Sequence, residues 1–192
     1  MHNTGIGLSV ALLLATASVS ARTPPPAGDA AAPHATIVPA AEMTAAVNRN
    51  STIAVDDAVL RVVPVGADYN VGVSVVRRSQ VDGRAPPDAI VHDAITEIYQ
   101  VTEGSGVLVT GGTIEAATPL AADNPIVREL IGPSSVGKVI RGGTPQRIGP
   151  GDIVVIPPHT PHGFVEITTE RIVYTLIRVD SQRLLELREQ PR

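Results

Sequence analysis

Gly149-Pro150-Gly151-Asp152-Ile153-Val154-Val155-Ile156-Pro157-Pro158-His159-Thr160-Pro161-His162-Gly163-Phe164 is the stretch on which the reading of this 192-residue chain turns. A glycine-proline turn leads into a short run of Ile and Val, and the run ends in three prolines within five residues. Short β-branched runs bounded by Gly and Pro are the pattern of strands in a sandwich or barrel. Proline fixes φ, so the segment from Pro157 to Pro161 is held rigid. His162 stands just beyond it, on a stiff mount of the kind a ligand-bearing side chain needs.

The same pattern extends outward in both directions. Val- and Ile-rich runs fall at 53–65, 69–77, 89–92, 97–101, 106–110, 138–141, 153–157, 162–167 and 171–179. Turn signals separate them: Asp82-Gly83, Pro86-Pro87, Gly104, Gly111-Gly112 and Gly142-Gly143. The chain has 17 Gly and 17 Pro, too many punctuators for a helical bundle. Two short helices are expected. Asp123-Asn124-Pro125 caps Ile126–Ile131 before Gly132. Asp180 or Ser181 caps a C-terminal helix to about Glu189. Val173, Ile177 and Val179 make one face of run 171–179 apolar, and Ile172, Tyr174 and Leu176 the other. Something must cover its outer face, and a homodimer is the expected cover.

Composition excludes several functions. The formal charge is −4, Lys138 is the one lysine, and no basic cluster offers itself to nucleic acid. Cysteine is absent, which removes disulfides, thiolate metal sites, Cys nucleophiles and a lipid-anchored cysteine. Residues 1–21 carry no Asp, Glu, Lys or Arg, and their apolar run from Ile6 to Val19 is too short to span a bilayer. With small residues at Val19-Ser20-Ala21, this segment is expected to be a cleavable signal peptide. That implies a periplasmic or secreted protein with no stable membrane anchor. Residues 22–51, with Pro24-Pro25-Pro26, read as a Pro/Ala-rich linker and N-terminal segment. Residues 52–192 form the single folded domain.

Three histidines fall inside that domain: His92, His159 and His162. His92 stands five residues before Glu97, and an odd spacing on one strand puts two side chains on opposite faces. The two converge only if Asp93 to Thr96 holds a bulge or a break between strands. Tyr99 shares the face of Glu97, as a proton donor, a substrate contact or barrel filling. Asp93 reads as a solvated turn carboxylate, Arg77-Arg78 as a solvated strand end, and Phe164 as cavity wall.

These residues resemble the paired motifs of the cupin superfamily. The first motif, H-x-H, three or four residues, E, six residues, G, is matched by His92, Glu97 and Gly104, with Ile90 in place of the first His. The second, G, five residues, P-x-G, two residues, H, is matched by Gly151, Pro157 and His162, with His159 in place of the Gly. The resemblance covers roughly 52–180. It implies an all-β, double-stranded β-helix (jelly-roll) barrel, here with a short inserted helix and a C-terminal helix. It also implies that His92, Glu97 and His162 point into one end of the barrel as a 2-His-1-carboxylate set for divalent Fe, Mn, Ni, Co or Zn. His159 is a further candidate ligand or supporting group.

Between the motifs lie forty-four residues, Ser105 to Ile148, more than a compact cupin needs. The excess at Glu115–Gly137 is expected to be a lid or a dimer contact. The implied function is metal-dependent oxygenation, isomerisation or lyase chemistry on a small organic molecule. The alternative is a metal-free module binding a small molecule or sugar.

Overall fold

The computed structural model describes residues 34–81, 88–138 and 140–190, and all of these except His34 and Ala35 lie in one compact unit, Thr36–Arg192. The expected signal segment and the first part of the linker lie outside the described residues. Among the described residues, one helix precedes twelve strands. They are α1 (Ala40–Asn48), β1 (Val55–Val65), β2 (Tyr69–Val81), β3 (Ala89–His92), β4 (Ile95–Glu103), β5 (Gly106–Thr110) and β6 (Thr113–Ile114). Then come β7 (Thr118–Pro119), a π-helical turn (Val127–Ile131), β8 (Ser134–Gly137), β9 (Ile140–Arg141), β10 (Thr144–Ile148), β11 (Ile153–Ile156) and β12 (His162–Asp180).

β12 organises the jelly roll. Its C-terminal half lies between β2 and β4, and its N-terminal half lies beside β5, with His162 also opposite Ile90 of β3. Register shifts at Phe164/Glu166 and Ile167/Arg171 separate the two halves. Such irregularities bend a strand, so one 19-residue strand serves two sheets. One sheet runs β1-β2-β12-β4-β11 and the other β10-β5-β12-β3-β8-β7, every pairing antiparallel. Val76, Tyr99, Leu108, Ile156, Phe164, Ile172 and Tyr174 come from both sheets and meet in a single core. The sequence reading of an all-β jelly roll therefore holds.

The outer face of β12 is covered from within the chain at Val173. Val38, Met43, Ala46 and Val47, on and just before α1, pack against Leu60, Val75 and buried Val173. Ala, Glu and Met favour helix, and Glu42 pairs with Arg61 at 2.9 Å to seat it. The apolar outer residue Val173 thus has an intramolecular partner and does not itself require a second copy.

The inserted segment is wall rather than lid. β8 pairs with β3 and β7 with β8, so residues 118–137 extend a sheet beyond the first motif. Asn124 accepts the Ile126 N–H through its side chain, but the helix that follows is only the π turn, closed by Gly132 at φ 65°. The described residues 181–190 do not form the expected C-terminal helix. Asp180 takes the backbone N–H groups of Leu184 and Leu185 at 3.0 and 2.8 Å, too far along the chain for a helix cap, and Arg183 sits at φ 57°. The chain then runs straight enough for Arg188 to exchange two hydrogen bonds with Val62, while Leu185 fills a small core with Val59, Val62 and Ile95. Long-range partners outweigh the local helical signal here.

Gly104 turns β4 into β5 at φ 73°, and a Cβ there would lie 2.0 Å from the Arg171 carbonyl oxygen. Gly104→Ala is expected to cost about 2–4 kcal/mol of stability, from the left-handed backbone plus the clash, measured by urea unfolding.

Candidate metal centre

Two breaks in the strands bring the site together. β3 ends at His92, the chain steps out through Asp93 and Ala94, and β4 restarts at Ile95. Asp93 is exposed and its N–H donates to the Pro133 carbonyl at 2.9 Å, which fixes the step. This break resolves the odd spacing, so His92 and Glu97 face the same interior. His162 opens β12, opposite both Thr110 and Ile90. The proline-rich segment before it is tied to the first motif by the His159 N–H, which donates to the His92 carbonyl at 2.7 Å.

The structure brings His92, Glu97 and His162 into one buried cluster, with their potential donor atoms all within 4.8 Å of one another. His92 Nε2 lies 3.4 Å from Glu97 Oε1, and His162 Nε2 lies 3.4 Å from Glu97 Oε2. Around a divalent ion with bonds of about 2.0–2.2 Å, neighbouring donors sit about 3.0–3.5 Å apart. The spacing therefore fits one shared cation.

Hydrogen bonding assigns the protons. Ser134 Oγ donates its one hydrogen to the carbonyls of Gly132 and Ile131, at 2.9 and 3.2 Å. It therefore accepts from His92, whose Nδ1 is 2.8 Å away and carries the proton. His162 Nδ1 donates to the Thr160 carbonyl at 3.0 Å. In the neutral form both imidazoles then turn an Nε2 lone pair toward the same carboxylate. Lone pairs facing a carboxylate repel unless a proton or a cation lies between. Burial pushes the His92 pKa down despite Glu97 beside it, so a bound proton is the less favoured solution there. The donor set fits a metal ion, with Ser134 and Thr160 fixing both rings by their far nitrogens.

Glu97 stays ionised although burial works against it. Arg178 together with the two imidazoles holds its carboxyl well below the ordinary range. Arg178 Nε donates to Glu97 Oε1 at 3.0 Å and Nη2 donates to Asp57 Oδ2 at 2.5 Å, while Ser74 Oγ accepts from Nη1 at 3.1 Å. One guanidinium between two carboxylates leaves the group with one net negative charge, which favours a cation. Tyr99 donates its hydroxyl to Glu97 Oε2 at 2.8 Å and stacks on Tyr174 with ring centroids 4.4 Å apart. Burial, then the charge of Glu97, pushes the Tyr99 pKa well above its usual value.

Other sequence expectations come out differently. His159 is exposed at φ 60°, in the left-handed region where the motif has glycine, and it contributes a backbone N–H but no imidazole to the cluster. Arg77 and Arg78 are half-buried in β2 and are not a solvated strand end. Arg77 binds the carbonyls of Arg49 and Ser51 and pairs with Asp56, anchoring the N-terminal segment. Arg78 turns inward to Tyr174, its Nε donating to the phenol oxygen at 2.8 Å. Phe164, expected on the cavity wall, packs in the core behind Tyr174. Sequence reasoning missed Arg178, Asp57 and Ser134. Only Arg178 left a signal, a charge amid the apolar run 171–179.

His92, Glu97 and His162 line a cavity of about 560 Å³. Ile90, at the usual place of the first histidine, lines it, as do Leu120, Leu130 and Val136 from the inserted segment.

An antiparallel jelly roll that brings these two motifs together is the arrangement the resemblance to cupins implies. Residues 136–191, under a third of the chain, match the AraC-like ligand binding domain family. No curated protein sequence matches it. Several solved structures are similar in fold. The Schizosaccharomyces pombe Cnp3 cupin domain aligns at 7% identity over 70% of this chain and 66% of its own, with a TM-score of 0.40. KdgF from Halomonas sp. aligns at 17% identity over 70% of this chain and 86% of its own, with a TM-score of 0.38. The cobalt(II) form of HppE in complex with Tris buffer aligns at 15% identity over 57% of this chain and 45% of its own, with a TM-score of 0.35. The chain spans less than two thirds of the length of several of these similar proteins.

Replacing Arg178 by Met would leave Glu97 and Asp57 without their shared cation. Such an uncompensated buried charge is expected to cost about 3–5 kcal/mol of stability, read from denaturant midpoints at neutral pH.

Proposed function

We propose that this protein is an exported cupin that holds one divalent metal ion through His92, Glu97 and His162 and binds a small organic molecule in the adjoining cavity. The observation that carries the reading is the pair of imidazole Nε2 atoms, each 3.4 Å from one oxygen of the same buried carboxylate. Two histidines and one carboxylate leave coordination positions open, and the set is compatible with Fe, Mn, Ni, Co or Zn. When bound, such an ion supplies Lewis acidity to an oxygen of the ligand, the chemistry used in oxygenation, isomerisation and lyase-type proton transfer.

The chain's own residues prepare that site. Ser134 and Thr160 hold the two rings, and Arg178 fixes the carboxylate. Tyr99 keeps its proton and donates it to Glu97, so its first role is to steady that oxygen. From the cavity wall its ring also meets whatever enters. The aliphatic lining excludes water and favours a ligand with an apolar body.

A second reading is a metal-free binding module. It is favoured by Ile90, which removes the usual fourth ligand, and by the two protein donors that Glu97 already accepts, Arg178 and Tyr99. Metal analysis of untagged protein separates the two. The proposal expects about one divalent ion per chain, lost in both Glu97→Gln and His162→Ala. Stoichiometric metal unchanged in both variants would reject the ligand set. Absence of metal after reconstitution with Fe(II), Mn(II), Ni(II) and Zn(II) would select the metal-free module.

Export rests on residues 1–21, with their uncharged, fourteen-residue apolar run. N-terminal sequencing of protein expressed in a secreting bacterium is expected to begin at Arg22. A mature chain that begins at Met1 would remove the export reading. A homodimer stays part of the proposal and is checked by light scattering.

A further inference from the structure

The lining of the cavity carries a further charged group besides the three proposed ligands and Arg178. This is Arg78 of β2. Its Nε donates to the Tyr174 phenol oxygen at 2.8 Å, and its guanidinium carbon lies 5.4 Å from the centre of the Phe164 ring. Two aromatic side chains thus fix the position of the fork. Among the described residues, no carboxylate pairs with Arg78, and no acceptor bonds its Nη1 or Nη2. The other arginines that turn inward are all matched: Arg61 with Glu42, Arg77 with Asp56, Arg178 with Glu97 and Asp57, Arg188 with Glu129.

An unmatched guanidinium beside an aliphatic wall is costly to desolvate, so it is a natural place for an anionic ligand to make its contact. The charge is permanent at any physiological pH. Lys138 also lines the cavity, but it is exposed and paired with Asp88. The lining surface is largely apolar, with Ile90, Leu120 and Val136 contributing, so the second charge of a phosphate ester costs more to bury there than a single carboxylate charge. One planar fork with two free nitrogens matches a carboxylate.

We propose that Arg78 is the anion-recognising residue of this cavity and that the ligand is a small organic carboxylate with an apolar body. The proposal rests on the reading of the cavity as a small-molecule site and needs no metal for the contact itself.

Calorimetric titration of the full chain with hexanoate and benzoate, against hexanamide, benzamide and hexyl phosphate, tests it. The acids are expected to bind at least about tenfold more tightly than their amides, the usual worth of a charged hydrogen-bonded contact. In Arg78→Met that preference disappears while metal content and thermal midpoint stay at the wild-type values, and Arg78→Lys restores part of it. Glu97→Gln keeps the preference for acids, so loss of the metal reading would leave Arg78 standing. Equal binding of acids and amides, binding of neither, or a preference surviving in Arg78→Met would overturn the assignment. Tighter binding of hexyl phosphate than of hexanoate would overturn the carboxylate class.

Discussion

Two imidazole nitrogens directed at one buried carboxylate form the constraint around which this barrel is arranged. Each ring has its Nδ1 proton committed elsewhere, on Ser134 Oγ for His92 and on the Thr160 carbonyl for His162. Neither ring can therefore turn its proton toward Glu97 without losing a buried hydrogen bond. The repulsion that follows must be relieved from within the cluster, by a cation or by extra protons. Desolvation opposes the extra proton on His92. A cation relieves both contacts at once, because the two carboxylate oxygens face one ring each.

The second layer keeps that carboxylate charged. Arg178 could neutralise Glu97 outright, and a bare Glu–Arg pair would have little affinity left for a metal. Asp57 alters the balance by taking the other end of the same guanidinium. Arg178 then positions Glu97 without cancelling the negative charge of the group. The three residues come from β1, β4 and β12, which share one sheet, with β2 between β1 and the C-terminal half of β12.

Much of the arrangement was legible in the sequence, and the failures share a cause. The strand runs, the turns and the two motifs depend on near neighbours along the chain, where period and turn chemistry speak directly. The need for a break between His92 and Glu97 could be read from an odd spacing alone. Arg178 was invisible as a partner because Glu97 lies 81 residues away and Asp57 lies 121 away. The C-terminal helix failed for the same reason, since Asp180 and Val62 offered distant hydrogen bonds that local propensity does not register. Arg77-Arg78 departs from a solvated strand end because adjacent strand residues face opposite ways, and here both faces are covered, one by the N-terminal segment and the other by the core. At His159, a motif position that holds glycine demands a left-handed backbone, which points to the backbone rather than the imidazole.

The inserted segment gives the site its character. Without β8, β3 would be a sheet edge beside β12. Here β8 pairs with β3 and places Ser134 directly opposite His92. The same segment adds Leu120, Leu130 and Val136 to the cavity lining, on the side where Ile90 has replaced a polar ligand. One stretch of chain thus both fixes a ring of the centre and makes the space before it apolar. In such a space a charged group that lacks a partner has far more influence than on a wet surface. Arg78 occupies that position, with its plane set by Tyr174 and Phe164 before any ligand arrives. A pre-set fork loses little conformational freedom on binding, so its charge goes into discriminating acids from their neutral analogues.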